Sequence, residues 1–402
     1  MVRIRRGDRV KFTRMFEAPA FRFVLTMGVV NLFADVTYEG GGAINGAFLG
    51  SLGASAAAIS IIAGAGEFLG YTLRSVAGYA ADRTGRHWLI TFIGYAINLL
   101  AVPAMALAGN WQAAAALVFA ERIGRALRKP TVEAMLSYTT ARYGRGWVYA
   151  VNSALDETGA SLGPLLVAAV LFFRGSYRAA YAALLISSAL ALAALILARV
   201  RFPLPSRLEE RATTASAPVA GFTAAYWLFM LAGSCFATGL LSYELISYHL
   251  TSTKMTTEVG APVLLALATG GGVAANLVIG RTYDRYGLPV VLVAVTLSAL
   301  FAPLMFMGNF AMVIAAMPLL GIGYAVQDTL LKAMVAGVLP QERRSLAFGL
   351  FYAGYGCGWL IGSVAMGLLY ERSRVALVCV AVLAQLASLP VFWLAHRRMQ
   401  AA

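Results

Sequence analysis

Gly78-Tyr-Ala-Ala-Asp82-Arg83-Thr-Gly85-Arg86-His87 separates two long apolar runs, and a shorter copy, Gly280-Arg-Thr-Tyr-Asp284-Arg285-Tyr-Gly287, follows in the second half of the 402-residue chain. Each copy holds two glycines around an acid–base pair, the make-up of a tight, charged turn between helices. A turn that recurs about half a chain later marks a duplicated unit.

Outward from these turns the chain divides into apolar segments of roughly 20 residues, the length that crosses a bilayer as a helix. Twelve such spans are expected, centred near Ala34, Glu67, Ala96, Arg125, Gly159, Ser187, Gly233, Thr269, Ser298, Gly323, Cys357 and Ala384. The first is too long for a signal-peptide core and is read as a mature helix. The long polar stretch between spans, Arg201 to Gly221, falls at the midpoint. The expected organisation is therefore all-α and polytopic: an N-terminal six-helix bundle (1–200), a cytoplasmic linker (201–221) and a C-terminal six-helix bundle (222–402).

Composition agrees. The chain is 60% hydrophobic and 12% charged, against roughly 45–50% and about 25% in soluble proteins. That balance excludes a soluble enzyme, a disordered regulator and a coiled coil. The net charge of +14 would suggest a nucleic-acid partner if it lay on a wet surface. On the twelve-span layout most of the Lys and Arg instead fall before span 1, in loops 2–3, 4–5, 6–7, 8–9 and 10–11, and at the C-terminus. Only Arg174, Arg178, Lys254, Arg372 and Arg374 fall on the opposite face. This asymmetry places both termini in the cytoplasm of a multi-pass cell-membrane protein and removes the need for nucleic acid. Cys235, Cys357 and Cys379 lie in apolar runs without metal-ligand spacing, so no disulfide framework or metal site is expected.

The loop at Gly78, Asp82, Arg83, Gly85 and Arg86 resembles the loop 2–3 signature of the major facilitator superfamily, and Asp284 and Arg285 belong to the weaker second copy characteristic of it. No subfamily is identified. The resemblance implies a 6+6 secondary transporter, a monomer without cofactor, in which this loop cluster is a conformational latch. Gly159-x-x-x-Gly163-Pro164 is similar to the superfamily's antiporter signature in span 5, which tilts the expected direction toward efflux.

Fifteen ionisable groups, nine acids and six bases, fall within the spans. Exposed to lipid they would cost roughly 3 kcal/mol each, on the order of 45 kcal/mol together. They must face one another or a cavity, and they are the functional candidates. Asn31, Asp35 and Glu39 form an i, i+4, i+8 stripe on span 1 with Tyr38 beside it. Gly40-Gly41-Gly42 follows and predicts a locally opened helix. Span 4 carries Glu121, Arg122, Arg125, Arg128, Lys129 and Glu133, with Pro130 expected to bend it. Its four bases outnumber its two acids, so an anionic substrate or acids elsewhere must answer them.

Asp35, Glu39, Asp156 and Glu157 are the candidate proton carriers, Asp35 first, since no histidine sits at span centre. Asn31, Tyr38, Arg125, Arg128 and Glu244 are the candidate substrate contacts. Aligning Gly124 with Gly323 sets Lys129 against Asp328 and Glu133 against Lys332, which predicts ion pairs between the bundles. Glu67 and Arg74 are expected to pair on span 2. The expected function is proton-coupled transport of a small organic solute, by antiport. Symport of an organic anion is the alternative, and a receptor or lipid scramblase on the same scaffold is a second. No zinc-protease pattern, nucleophile elbow or phosphate loop points to an enzyme.

Overall fold

The computed structural model describes residues 19–137, 145–205, 222–336 and 344–400. The side chains of 82, 145–151, 153, 284, 333, 336 and 344–348 lie outside that description. No strand occurs among the described residues.

The first six spans are single helices: α1 (Pro19–Ser51), α2 (Ala56–Thr84), α3 (His87–Ala104), α4 (Trp111–Ser137), α5 (Arg145–Arg174) and α6 (Tyr177–Arg201). Span 7 is α7 (Ala224–Gly239) and α8 (Tyr243–Ser252), and span 8 is α9 (Gly260–Tyr286). Span 9 is α10 (Leu288–Ala299) with α11 (Phe301–Met307). Span 10 is α12 (Phe310–Ala325), a π turn (Val326–Leu330) and α13 (Leu331–Ala336). Spans 11 and 12 are α14 (Arg344–Arg372) and α15 (Arg374–Gln400). Eleven of the twelve are long and apolar enough to cross a membrane. The twelfth, α4, has the length but carries too many charges to count among them.

Local signals set several boundaries. Ser55 caps α2 by accepting from the Ala58 N–H at 3.2 Å. Gly85 ends the same helix at φ +65° while its N–H returns to Ala81, a left-handed conformation that glycine adopts without strain. The Gly40–Gly42 expectation is overturned, because α1 runs unbroken through all three. Gly40 instead lies against the Gly163 backbone and Gly41 against Val102, so small residues let helices close up here. Gly159 and Gly163 likewise abut the backbone of Leu32 and Val36 on α1. Pro130 sits inside α4 without ending it. The break falls in span 7, where Leu240–Ser242 separate α7 from α8.

The internal repeat is visible in the packing. Gly124 abuts Asn98 of span 3, and Gly323 abuts Ser298 of span 9. Six residues further along each helix, Pro130 neighbours Gly78 and Thr329 neighbours Gly280.

The two bundles meet closely on the side away from the termini. Gly46 of α1 lies against the Glu244 carbonyl, and Gly50 against Tyr248. Ser60 of α2 donates to the Ser363 carbonyl at 2.6 Å, and the Ala57 N–H donates to Glu371 at 3.0 Å. On the termini side, Glu133 on α4 is exposed, as are Asp328 and Lys332 on span 10. The groups between α4 and span 10 are thus open to solvent on the termini side, while α2 and α14 still touch there, Ser75 against Gly349.

Candidate functional site at the bundle interface

At mid-span, α4 turns three arginines toward its neighbours at intervals of three residues, and all three are buried. Arg122, 4% exposed, lies 2.8 Å from Glu67 of α2 through one terminal nitrogen and 2.8 Å from Glu244 of α8 through the other. Arg125 pairs with the same Glu67 oxygen at 2.7 Å. Glu121 reaches its chain neighbour Arg122 at 3.4 Å and Arg125 at 3.8 Å, the second being the i,i+4 pairing expected of neighbouring turns. Both guanidinium groups donate to the Tyr38 hydroxyl, and that of Arg125 lies 4.2 Å from the Tyr38 ring centre, at cation–π distance.

One turn nearer the termini, Arg128 meets Asp35 at 3.3 Å and stacks on Tyr95 at 4.8 Å. The Tyr95 hydroxyl donates to Asn31, and Asn31 donates to Asn152 of α5 at 3.0 Å. Asn98 donates to Glu121 at 2.9 Å. Asp156 is half-buried with one carboxylate oxygen unpartnered. Glu39 makes no hydrogen bond or ion pair among the described residues, and it lies within Coulombic reach of Asp35, Arg122, Arg125 and Glu157.

The stripe on α1 thus has three different local roles: Asn31 joins a neutral network, Asp35 answers an arginine, and Glu39 is free. The apparent excess of base on α4 is answered by Glu67, Asp35 and Glu244, none of them on α4. Glu67 pairs with Arg122 and Arg125 in place of the expected Arg74, which lies over the Tyr71 ring at 4.8 Å. The expected bundle-to-bundle pairs are also corrected. Lys332 pairs with Asp328 on its own helix at 3.4 Å, and Lys129 and Glu133 form no ion pair among the described residues. The reason is geometric: the two arms stand apart on the open side, leaving the Lys332 and Asp328 side chains 47% and 54% exposed. Glu133 still lies within Coulombic reach of Lys332, and Glu157 within that of Asp328. The pair that does join the bundles is Arg122–Glu244.

Within the expected latch, Arg83 donates to Tyr79 at 3.3 Å, and Arg285 lies over the Tyr286 ring. Both contacts stay within one helix. The Asp82 and Asp284 side chains, and the role expected of them, fall outside the described residues. Gly85 and Arg86 form the turn itself, whereas Gly78, expected in the turn, lies inside α2 against Pro130.

Glu371, Tyr95 and Tyr324 were not singled out by sequence. A lone acid at the end of an apolar span, or a tyrosine inside one, has no spacing that reveals its partner.

A model of the Major Facilitator Superfamily matches residues 27–288 and 224–401. The chain belongs to that superfamily. A major facilitator chain is a multi-pass membrane transporter and not an enzyme. It is 36% identical over 375 residues to the uncharacterised protein Rv2265 of Mycobacterium tuberculosis H37Rv, covering 92% of each chain. It is 23% identical over 365 residues to an uncharacterised major-facilitator-type transporter of Methanocaldococcus jannaschii, covering 87% of this chain and 89% of the other. Among solved structures, the nucleoside transporter NupG superposes with a TM-score of 0.70 at 12% identity, over 94% of this chain and 98% of that one. A sulfate-bound peptide transporter, POT, superposes at 0.75 with 13% identity, over 94% of each. At such identities the likeness establishes the shared fold.

Proposed function

We propose that this facilitator is a proton-coupled secondary active transporter that exports a small organic solute by antiport through alternating access. The reading rests on one observation: Arg122 of the N-terminal bundle is held at once by Glu67 of its own bundle and Glu244 of the other. A charge pair across a moving interface ties the protonation of its carboxylate to the closure of that interface. With Glu244 ionised, Arg122 holds α8 against α4 and the side away from the termini stays shut. A proton on Glu244 removes that attraction, Glu67 and Glu121 retain the guanidinium, and the bundles are released to rock. The Lys and Arg distribution orients the open side toward the cytoplasm.

Glu39 is the better proton carrier and Asp35 the second, because Asp35 already answers Arg128. Asp156 and Glu157 form the relay toward the open side. Asn31, Tyr38, Arg125 and Arg128 then shape the site wall, and the Gly78–Arg86 loop latches the cytoplasmic side in the opposite state. The chain works as a monomer in this scheme.

The test is flux in proteoliposomes under an imposed pH gradient. Expected is solute movement opposite to the protons, lost on Glu39→Gln. Movement in the same direction would replace antiport with symport, and undiminished proton flux in that variant would remove Glu39 from the coupling.

A further inference from the structure

We infer that the cargo is an organic cation, an ammonium-bearing solute whose charge is taken by Glu39 in the space beside Gly42, between α1 and span 10. The inference rests on the transport reading above, which places the cargo between the bundles.

Four observations carry it. First, no guanidinium in the cluster is free, since Arg122, Arg125 and Arg128 each have a carboxylate within 3.3 Å. An anionic solute taken by these three arginines would have to displace one of these carboxylates. Lys129, the remaining base of α4, lies within Coulombic reach of both Asp35 and Asp156. Second, the span-depth groups comprise nine acids against six bases. Third, Glu39 has no protein partner, and it shares a helix face with Gly46, seven residues on. Gly46 touches the Glu244 carbonyl of the other bundle, so this face looks across the interface. Gly42 lies between them, and a Cβ there would meet nothing within 4 Å. Fourth, Tyr324 of span 10 lies within Coulombic reach of both Glu39 and Glu244, so the surroundings of the free carboxylate include an aromatic side chain of the opposite bundle. A carboxylate without a cation of its own, with aromatic side chains in its surroundings, suits an ammonium.

An unpaired carboxylate at this depth is costly unless it carries a proton or a counter-cation. The two occupants exclude each other, so cation uptake at Glu39 releases a proton and protonation expels the cation. The charged and titratable groups around Glu39 are Asp35 and Tyr38 on α1, Arg122 and Arg125 on α4, Glu157 on α5 and Tyr324 on span 10. None of them supplies a formal positive charge that is not already paired.

The test is equilibrium binding to the purified full chain, with tetramethylammonium, choline and benzyltrimethylammonium against benzenesulfonate. All four keep their charge between about pH 5 and 8, so any pH dependence belongs to the protein. At least one cation should bind, release a proton and bind more weakly at low pH. Glu39→Gln should weaken it by on the order of 30-fold or more, and Glu39→Asp should retain it, with the unliganded melting temperature reporting that each variant folds. Binding of the sulfonate alone, binding of no cation, or cation binding unchanged by Glu39→Gln in a folded protein would overturn the inference. The readout needs no turnover. Failure of proton-driven flux would therefore sink the transport reading while leaving the binding result intact.

Discussion

Arg122 and Glu244 stand 122 positions apart in the chain and 2.8 Å apart in space, one on each bundle. The pair is buried at the level where span 7 breaks, and the same turn of α8 presents its carbonyl to Gly46. Side-chain charge and backbone contact therefore coincide at one crossing. A change in the charge of either residue acts on the fit of the two bundles.

Removing this attraction should favour the state open on the side away from the termini. Spin labels at Leu107→Cys and Ser373→Cys, in a background without the native cysteines, report the distance across that side. Glu244→Gln is expected to add a longer-distance population. An unchanged distribution would mean that the pair does not hold the side shut.

Arg122→Leu should be the more damaging change, since it leaves Glu67 and Glu244 without their shared cation. Breaking a buried pair in this way costs about 3–5 kcal/mol. The double variant Arg122→Leu/Glu244→Leu is expected to recover part of the loss, with a coupling of about 1–3 kcal/mol in a thermal-denaturation cycle. Additive effects would contradict a direct pair.

Asp35→Asn separates the two acids of α1. Asp35 is the carboxylate on Arg128, so its amide should lower the melting temperature. Glu39 holds no partner, so Glu39→Gln should leave stability unchanged or raise it, because burying an unpaired charge is unfavourable. Differential scanning fluorimetry on both variants decides the order.

Gly46→Val tests the crossing itself. Any Cβ at this position overlaps the Glu244 carbonyl, which is backbone and has little room to yield. The expected outcome is a loss of the closed state, read as a longer-distance population of the Leu107→Cys/Ser373→Cys spin-label pair. Gly42→Ala, which meets nothing, serves as the control and should leave that distribution unchanged.

Glu133 and Lys332 belong to opposite bundles and lie within Coulombic reach of each other without forming an ion pair. They should pair when that side closes. Glu133→Lys and Lys332→Glu should each slow transport, and the two together should restore part of the rate in a liposome assay. Failure of the double reversal to improve on either single variant would remove the pair from the cycle.

Spans, the 6+6 repeat and the membrane setting were legible in the chain because each is a local property. Hydropathy over about 20 residues decides whether a segment can lie in lipid, and the turns at Gly78 and Gly280 repeat in kind. The loading of α4 with charge was equally plain. Which acids would answer its arginines was not legible, because α2, α1 and α8 supply them and only the crossing of those helices brings Glu67, Asp35 and Glu244 into reach. The same holds for Gly40–Gly42, whose composition suits an opened helix and a tight crossing equally, and which α5 and α3 use for packing. Sequence spacing places residues on the faces of their own helix. Charge partners are settled by distances between helices, and those distances decide which groups are neutralised and which, like Glu39, are left without a partner.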